Sequence, residues 1–562
     1  MSSGIDTLLS ALEKHVTERA DETLLTLLKG GVQTDYSFAE FRENSLCYAQ
    51  GLNNAISNDA DTEGVVFIVL QHCAELYFTF FGTLYTGRIP AFLPFPTPKQ
   101  DPDLYWSSHR NLFLHVQPKA IISYEQNIPY LKEACSGLDV QILDIADLDI
   151  STPYGGPLPA QEASDIAFLQ HSSGTTGLKK GVMLSYGKVA AQISSYSAAI
   201  NLTAKDTIVS WLPLYHDMGL IACMITPVNV GARIISMDAF EWVSRPVSLL
   251  QALETYGGNY AWLPNFAFNL IAQTRPRGSH FDLSSVKALI GCSEPNKCET
   301  FERFYQTFAD CGLKPGSLRT CYAMAETVFA VSQSAGDAHP NPLYIDRQAL
   351  ETDKRIVILP KDDHAATGYL SNGRVIDGLS VRIHTDDGYE SGPTSTMAGE
   401  IQVTGRFVFD GYYKNPTMTE EAMDASYYRT GDTGFFHDGE LYVCGRIKEM
   451  LIVNGRNYYA NDIEDIVNSL DGIKKGRNVA FSVFQPRTQS EAAVVVVETE
   501  LTDKDERQKL QATVKATVFS RLELTLQQVV LVEPNWLIKT TSGKISRKEN
   551  QQRYNQLTKF DT

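Results

Sequence analysis

The stretch HSSGTTGLKKGVMLS, His171 to Ser185, carries the reading of the whole chain. Between Ser172 and Gly181 it places three glycines, two serines, two threonines and two lysines. Glycines let a backbone turn sharply and bring its N–H groups close to a ligand. Hydroxyls and an ammonium add donors and positive charge, which suits a polyphosphate. Upstream, DIAFLQ reads as a short buried strand. Downstream, VMLS reads as a second strand and YGKVAAQISSYSAAI as a helix. The Walker A loop needs GxxxxGK followed by Ser or Thr. Here Lys180 precedes Gly181, so this is a different loop. Taken alone it is equally a polar turn between two strands.

Composition narrows the choice. The chain has 562 residues, 43% hydrophobic and 20% charged, an ordinary globular balance with ample core. That length suggests three or four packed units. The net charge of −17 and the short, scattered basic clusters do not suit a nucleic-acid binder. The most apolar run, GVVFIVL, is far too short to span a bilayer, so no membrane insertion is expected. The opening MSSGIDTLLSALEKH lacks the basic and apolar regions of a signal peptide. Nine scattered cysteines without CxxC spacing argue against zinc and fit a reduced, cytoplasmic protein.

Helical and strand-like segments alternate through most of the chain. TLLSALEKHV and AELYFTFFGTLYTG read as helices, GVVFIVLQ and AIISY as buried strands. The alternation predicts an α/β fold with mostly parallel sheet. Residues 335–370 are polar, Pro-bearing and irregular, and read as an insertion. Beyond about Gly445 the pattern becomes a small α+β unit, with strands AAVVVVETE and QVVLVEP around a charged helix. The expected division is 1–445 and 446–562.

Further polar clusters follow the first loop. WLPLYHDMGLI holds His216 and Asp217; GCSEP follows the apparent strand VKALI; CYAMAET sets Tyr322 four residues before Glu326. YYRTGDTGFFHDGELYVCGRIKEMLIVNGRNYY holds Asp432, Arg446 and Lys448, and IKTTSGKISR holds Lys544. In this order the clusters resemble the ANL adenylate-forming superfamily over about residues 25 to 550. That superfamily comprises acyl-CoA synthetases, peptide-synthetase adenylation domains and luciferases. The segments LPNFAFNLIAQ, GRNYYANDIE, LYIDRQALE and YLSNGRVIDG look like its fatty acyl-AMP ligase branch.

The resemblance implies a large multi-sheet N-terminal domain, a small mobile C-terminal domain, and the use of ATP and Mg²⁺. Ser172, Thr175, Thr176 and Lys180 would hold the β- and γ-phosphates. Tyr322 would stack on adenine. Glu326 would ligate Mg²⁺, a hard cation that favours carboxylate oxygen. Asp432, assisted by Arg446, would accept hydrogen bonds from the ribose hydroxyls. Lys544 would counter charge at the substrate carboxylate and α-phosphate. His216 would orient the acyl carboxylate, and Lys448 would be the hinge. The branch-type insertion would disfavour coenzyme A, so the acyl group would pass to the phosphopantetheine thiol of a carrier protein.

Three positions depart from the family's pattern. Lys179 replaces a usual proline, Ala323 a usual glycine beside the acyl pocket, and Trp262 a small residue of the tunnel wall. An inward indole would shorten the tunnel. The expected acid is then fatty, short acyl, or a small amino acid such as glycine. Two alternatives stay open: an acyl-CoA ligase, and a non-catalytic nucleotide- or acyl-binding module. Pyrophosphate release separates enzyme from module, and the acceptor separates the two enzymes.

Overall fold

The computed structural model describes residues 7–56, 64–96, 102–171, 180–336, 339–453, 456–485, 490–522, 524–540 and 543–559. Ser172, Thr175, Thr176 and Lys179 lie outside the described residues, as does the side chain of Lys448.

Two sheets carry the α/β character. In a nine-stranded sheet, six strands run parallel in the order Leu318–Ala323, Ala288–Gly291, Tyr260–Leu263, Thr207–Ser210, Arg233–Met237, Thr23–Lys29. Antiparallel strands close both edges. A second sheet is wholly parallel: Ile89–Phe92, Val65–Ile68, Ala120–Ser123, Gln141–Asp144. These strands are apolar on both faces because both faces are covered, as in other parallel sheets. Tyr260 and Trp262 enter one core, Ala261 and Leu263 another. That is the two-residue alternation of a strand.

The third sheet departs from the expected parallel pattern. Its six strands, from Leu379–Thr385 to Glu440–Arg446, are all antiparallel. Tight turns explain this. His437 pairs with Glu440 across Asp438 and Gly439, both at positive φ, which is the backbone of a two-residue hairpin turn.

The segment read as irregular is also more ordered than expected. Pro342–Asp346 and Ala366–Leu370 pair antiparallel, and the helix Arg347–Asp353 begins on an Asp346 cap that accepts from Ala349 N at 3.0 Å. Leu343, Ile345 and Leu350 pack on Phe435, Tyr442, Cys444 and Tyr459. Three-residue apolar alternation was too short to stand out among the polar residues around it.

The C-terminal region builds apolar cores of its own. A three-stranded sheet, Asn478–Gln485, Ser490–Glu498 and Leu526–Val532, packs with the helices Ala460–Asn468 and Lys504–Leu522.

Candidate active site

Four neighbouring parallel strands, ending at Ser210, Leu263, Gly291 and Ala323, send their following loops to one edge of the sheet. Loops at the carboxyl ends of parallel strands form the usual binding crevice of such sheets. His216 and Asp217, Ser293 and Glu294, and Tyr322 and Glu326 all lie on or beside these loops.

Tyr322 lies one residue before the end of its strand, and its phenol donates to Asp432 Oδ2 at 2.6 Å. Arg446 Nε donates to Asp432 Oδ1 at 3.0 Å. Asp432 and Arg446 face each other across the hairpin register, so the antiparallel sheet itself sets the pair. Thr430 Oγ1 accepts from Asp432 N at 3.0 Å and fixes the turn. Burial pushes the Asp432 carboxyl up, against the opposing pull of Arg446 and Tyr322. Burial, with Asp432 beside it, raises the Tyr322 phenol well above its usual range.

Glu326 sits on the 3-10 turn Ala325–Thr327. Its Oε1 accepts from Tyr412 Oη at 2.9 Å. Lys180 Nζ lies 3.4 Å from the same hydroxyl and 4.6 Å from the centre of the Tyr412 ring. Lys180 is delivered by a hairpin: Ile166–His171 pairs with Gly181–Ser185, with His171 opposite Gly181. Beyond Glu326, Val328 adopts φ 62° and ψ −52°, and Phe329 N donates to Thr327 O at 2.7 Å. This is a γ-turn on a β-branched residue, a strained conformation costing about 1–3 kcal/mol. Val328 and Phe329 are fully buried, and that packing holds the turn.

Asp217 accepts from Met218 N at 2.8 Å at the start of the π-helix Met218–Ile225. π-Helical turns are rare and concentrate at functional sites. Gly219 has no room for a side chain: a Cβ would lie 2.2 Å from Pro213 O. The turn therefore folds tightly under His216, whose backbone joins Pro213 and Leu220.

Lys544 enters from the C-terminal region, and its Nζ donates to Ser293 O at 2.7 Å. Ser293 presents that carbonyl from a positive φ of 70°. Burial raises the carboxyls of Asp217 and Glu294, and the Lys544 charge works against that rise in both.

Trp262 is 1% exposed and points into the same core as Tyr322. Its Nε1 donates to Tyr196 Oη at 2.9 Å, Tyr196 donates to Gln333 Oε1 at 3.0 Å, and Gln333 Nε2 donates to Thr320 O at 2.9 Å. Ala323 packs at the border of that core. The structure thus brings together Tyr322, Asp432 and Arg446, and separately Glu326 and Lys180. Tyr412, Val328, Tyr196 and Thr430 were not singled out from sequence. Tyr412 had a weak signal in the tandem aromatics of GYYKN; Tyr196, one of 26 tyrosines, had none.

The sheet edge and its loops belong to a nucleotide-dependent, adenylate-forming ligase, as the family match shows. The chain belongs to the AMP-binding enzyme family, whose profile matches residues 12–413. The profile of the Disco-interacting protein 2-like AMP domain matches residues 448–560. The long-chain-fatty-acid–AMP ligase FadD26 of Mycobacterium marinum is 29% identical over 97% of this chain and 96% of its own. A Mycobacterium tuberculosis protein provisionally named fatty-acid–CoA ligase fadD25 is 32% identical over 79% of this chain and 77% of its own. Among solved structures, a fatty acyl-adenylate ligase from work on the E. coli and L. pneumophila enzymes superposes with a TM-score of 0.88. It is 24% identical and covers 99% of this chain and 98% of its own. No described helix is long and apolar enough to cross a membrane.

Proposed function

We propose that the enzyme activates a fatty acid with ATP and then loads it onto the phosphopantetheine thiol of a carrier protein. In the first step the carboxylate attacks the α-phosphorus and pyrophosphate leaves. In the second the thiol attacks the acyl carbonyl and AMP leaves. The observation that carries the reading is Lys544 at 2.7 Å from Ser293 O. It places an ammonium on the loop beside Asp217 and Glu294, at the edge where Tyr322 and Glu326 also stand. There it counters charge gathering on the carboxylate and α-phosphate, where a preorganised cation is most effective.

The remaining roles follow the same geometry. Tyr322 offers its ring to adenine while its hydroxyl fixes Asp432. The second lone pairs of the Asp432 oxygens accept from the ribose. Lys180, with Ser172, Thr175 and Thr176, holds the β- and γ-phosphates, and His216 orients the acyl carboxylate. The Glu326 carboxylate, held by Tyr412 and close to Lys180, offers the hard oxygen that Mg²⁺ favours. When bound, Mg²⁺ would neutralise phosphate charge there.

We divide the chain at 445/446, with Lys448 as hinge; the separate apolar core of the C-terminal region supports this. The name of FadD26 supports a fatty acid as substrate, and a carrier thiol rather than coenzyme A is supported by the insertion. Its Leu343, Ile345 and Leu350 pack in one cluster with Tyr459 of the C-terminal unit and restrain that unit. A cytoplasmic setting is supported by nine free thiols.

ATP–pyrophosphate exchange across acids of graded length tests the first step. Exchange with fatty acids is expected; none with any acid overturns it and leaves a binding module. Holo-carrier protein is expected to accept the acyl group far faster than coenzyme A, and the reverse would make the protein an acyl-CoA ligase.

A further inference from the structure

The loop Cys292–Lys297 is gripped twice by the C-terminal unit. At one end the Ser293 carbonyl takes Lys544. At the other, Lys297 Nζ lies 2.7 Å from Asp465 Oδ2 and 3.4 Å from Asp462 Oδ1, both on the helix Ala460–Asn468. The loop is rigid at its own end of the contact. Lys297 N donates to Asn265 Oδ1 at 3.2 Å and Asn296 Nδ2 to Gly291 O at 3.1 Å. The cluster is only partly withdrawn from water: the side chain of Lys297 is 29%, of Asp462 18% and of Asp465 48% exposed. Pairs of this kind are costly to break from one side, unlike fully exposed ones. The charge of Arg347 on the insertion also acts on Asp462, so the aspartate stands where loop, insertion and C-terminal helix meet.

We propose that Lys297 is a positioning residue for Lys544, latching the C-terminal unit by Asp462 and Asp465 in the arrangement that serves adenylation. The reasoning is geometric. Because one stiff loop makes both contacts, a rotation that withdraws Lys544 from Ser293 also pulls the two aspartates from Lys297. Lys297, Asp462 and Asp465 have no part in the proposed binding of nucleotide or acid. Loss of the latch therefore acts first on how often Lys544 is in place, and on substrate affinity only through that posture. The inference rests on the adenylating reading of Lys544.

Two measurements test it. Separate half-reactions are followed for Lys297→Gln, for Lys297→Asp, and for Lys297→Asp combined with Asp465→Lys. Lys297→Gln is expected to slow pyrophosphate exchange about tenfold, as loss of a partly buried pair allows. Its KM for ATP should change far less than its exchange rate, and transfer from preformed acyl-adenylate should be undiminished. Lys297→Asp should be slower still, and the swapped pair should recover to within a few-fold of wild type, which excludes a mere folding defect. Equal loss of both half-reactions, unchanged exchange, or no recovery in the swap would each overturn the proposal. Tryptic cleavage at Arg446 and Lys448 supplies a readout independent of chemistry. It should accelerate in Lys297→Gln and return to the wild-type rate in the swap, and an unchanged rate would also overturn the latch. Wild type without exchange on any acid would instead defeat the adenylating reading, with the cleavage comparison still deciding the latch.

Discussion

The Tyr412 hydroxyl donates to Glu326 Oε1 at 2.9 Å, while the same ring carries Lys180 Nζ 4.6 Å from its centre. One tyrosine thus holds Glu326 and Lys180, the acidic and basic partners of the proposed triphosphate site, in fixed relation. The ring face attracts the ammonium through its quadrupole, and the hydroxyl bonds a carboxylate, a hydrogen bond stronger than a neutral one.

The two functions of Tyr412 separate by substitution. Tyr412→Phe keeps the ring and loses the bond to Glu326, a hydrogen bond to charge worth about 1.5–3 kcal/mol. Mg²⁺ requirement should rise about tenfold while nucleotide binding measured without metal changes little. Tyr412→Leu should weaken both. Equal effects of the two variants on metal-free binding would refute the division.

Lys544→Ala should reduce adenylation by about 10²–10³-fold, the scale of removing one preorganised charge partner. Transfer from preformed acyl-adenylate to the carrier should persist. Loss of that transfer in a folded variant would place Lys544 in both steps.

Lys448→Pro fixes φ near −65° and removes a backbone donor at the proposed hinge. One half-reaction should fall at least about tenfold further than the other, as for domain motions that turn on a few residues. Comparable losses in a folded variant would move the hinge elsewhere.

Chain-length preference is read from Trp262. Its indole is held by Tyr196, so in the proposed tunnel it would be a fixed wall rather than a movable gate. Trp262→Gly should shift preference toward longer acids by about 0.8 kcal/mol for each methylene newly buried, with ATP binding unchanged. Tyr196→Phe should loosen the indole and blur the preference without moving its maximum. Wild-type preference for twelve-carbon and longer acids would show that the indole lies outside the tunnel. Glycine and acetate compared side by side test for an ammonium site, since equal exchange would leave size as the only selection.

Much of this was legible in residues 171–185, because local patterns report local structure. The strand before the loop, the strand and helix after it, and the strand ending in Gly291 were all readable. What escaped depends on partners distant in sequence. Tyr196 reaches Gln333 across 137 residues, and Lys297 reaches Asp462 across 165. No periodicity in one segment encodes such a meeting. The strain at Val328 escaped for another reason, since β-branched residues normally signal extended backbone. The antiparallel sheet was legible in part, through Asp438–Gly439, but the strong parallel pattern before it dominated the reading.

Arg446 grips Asp432 and is also the last residue before the turn Ile447–Glu449 that leads into the C-terminal unit. In the proposed reading, a ribose hydroxyl at Asp432 would share the oxygens that tether this arginine. Nucleotide occupancy and the posture of the C-terminal unit then share one coupling free energy, and the coupling is reciprocal. Whatever ATP does to the swing of that unit, the swing must do in equal measure to the affinity for ATP.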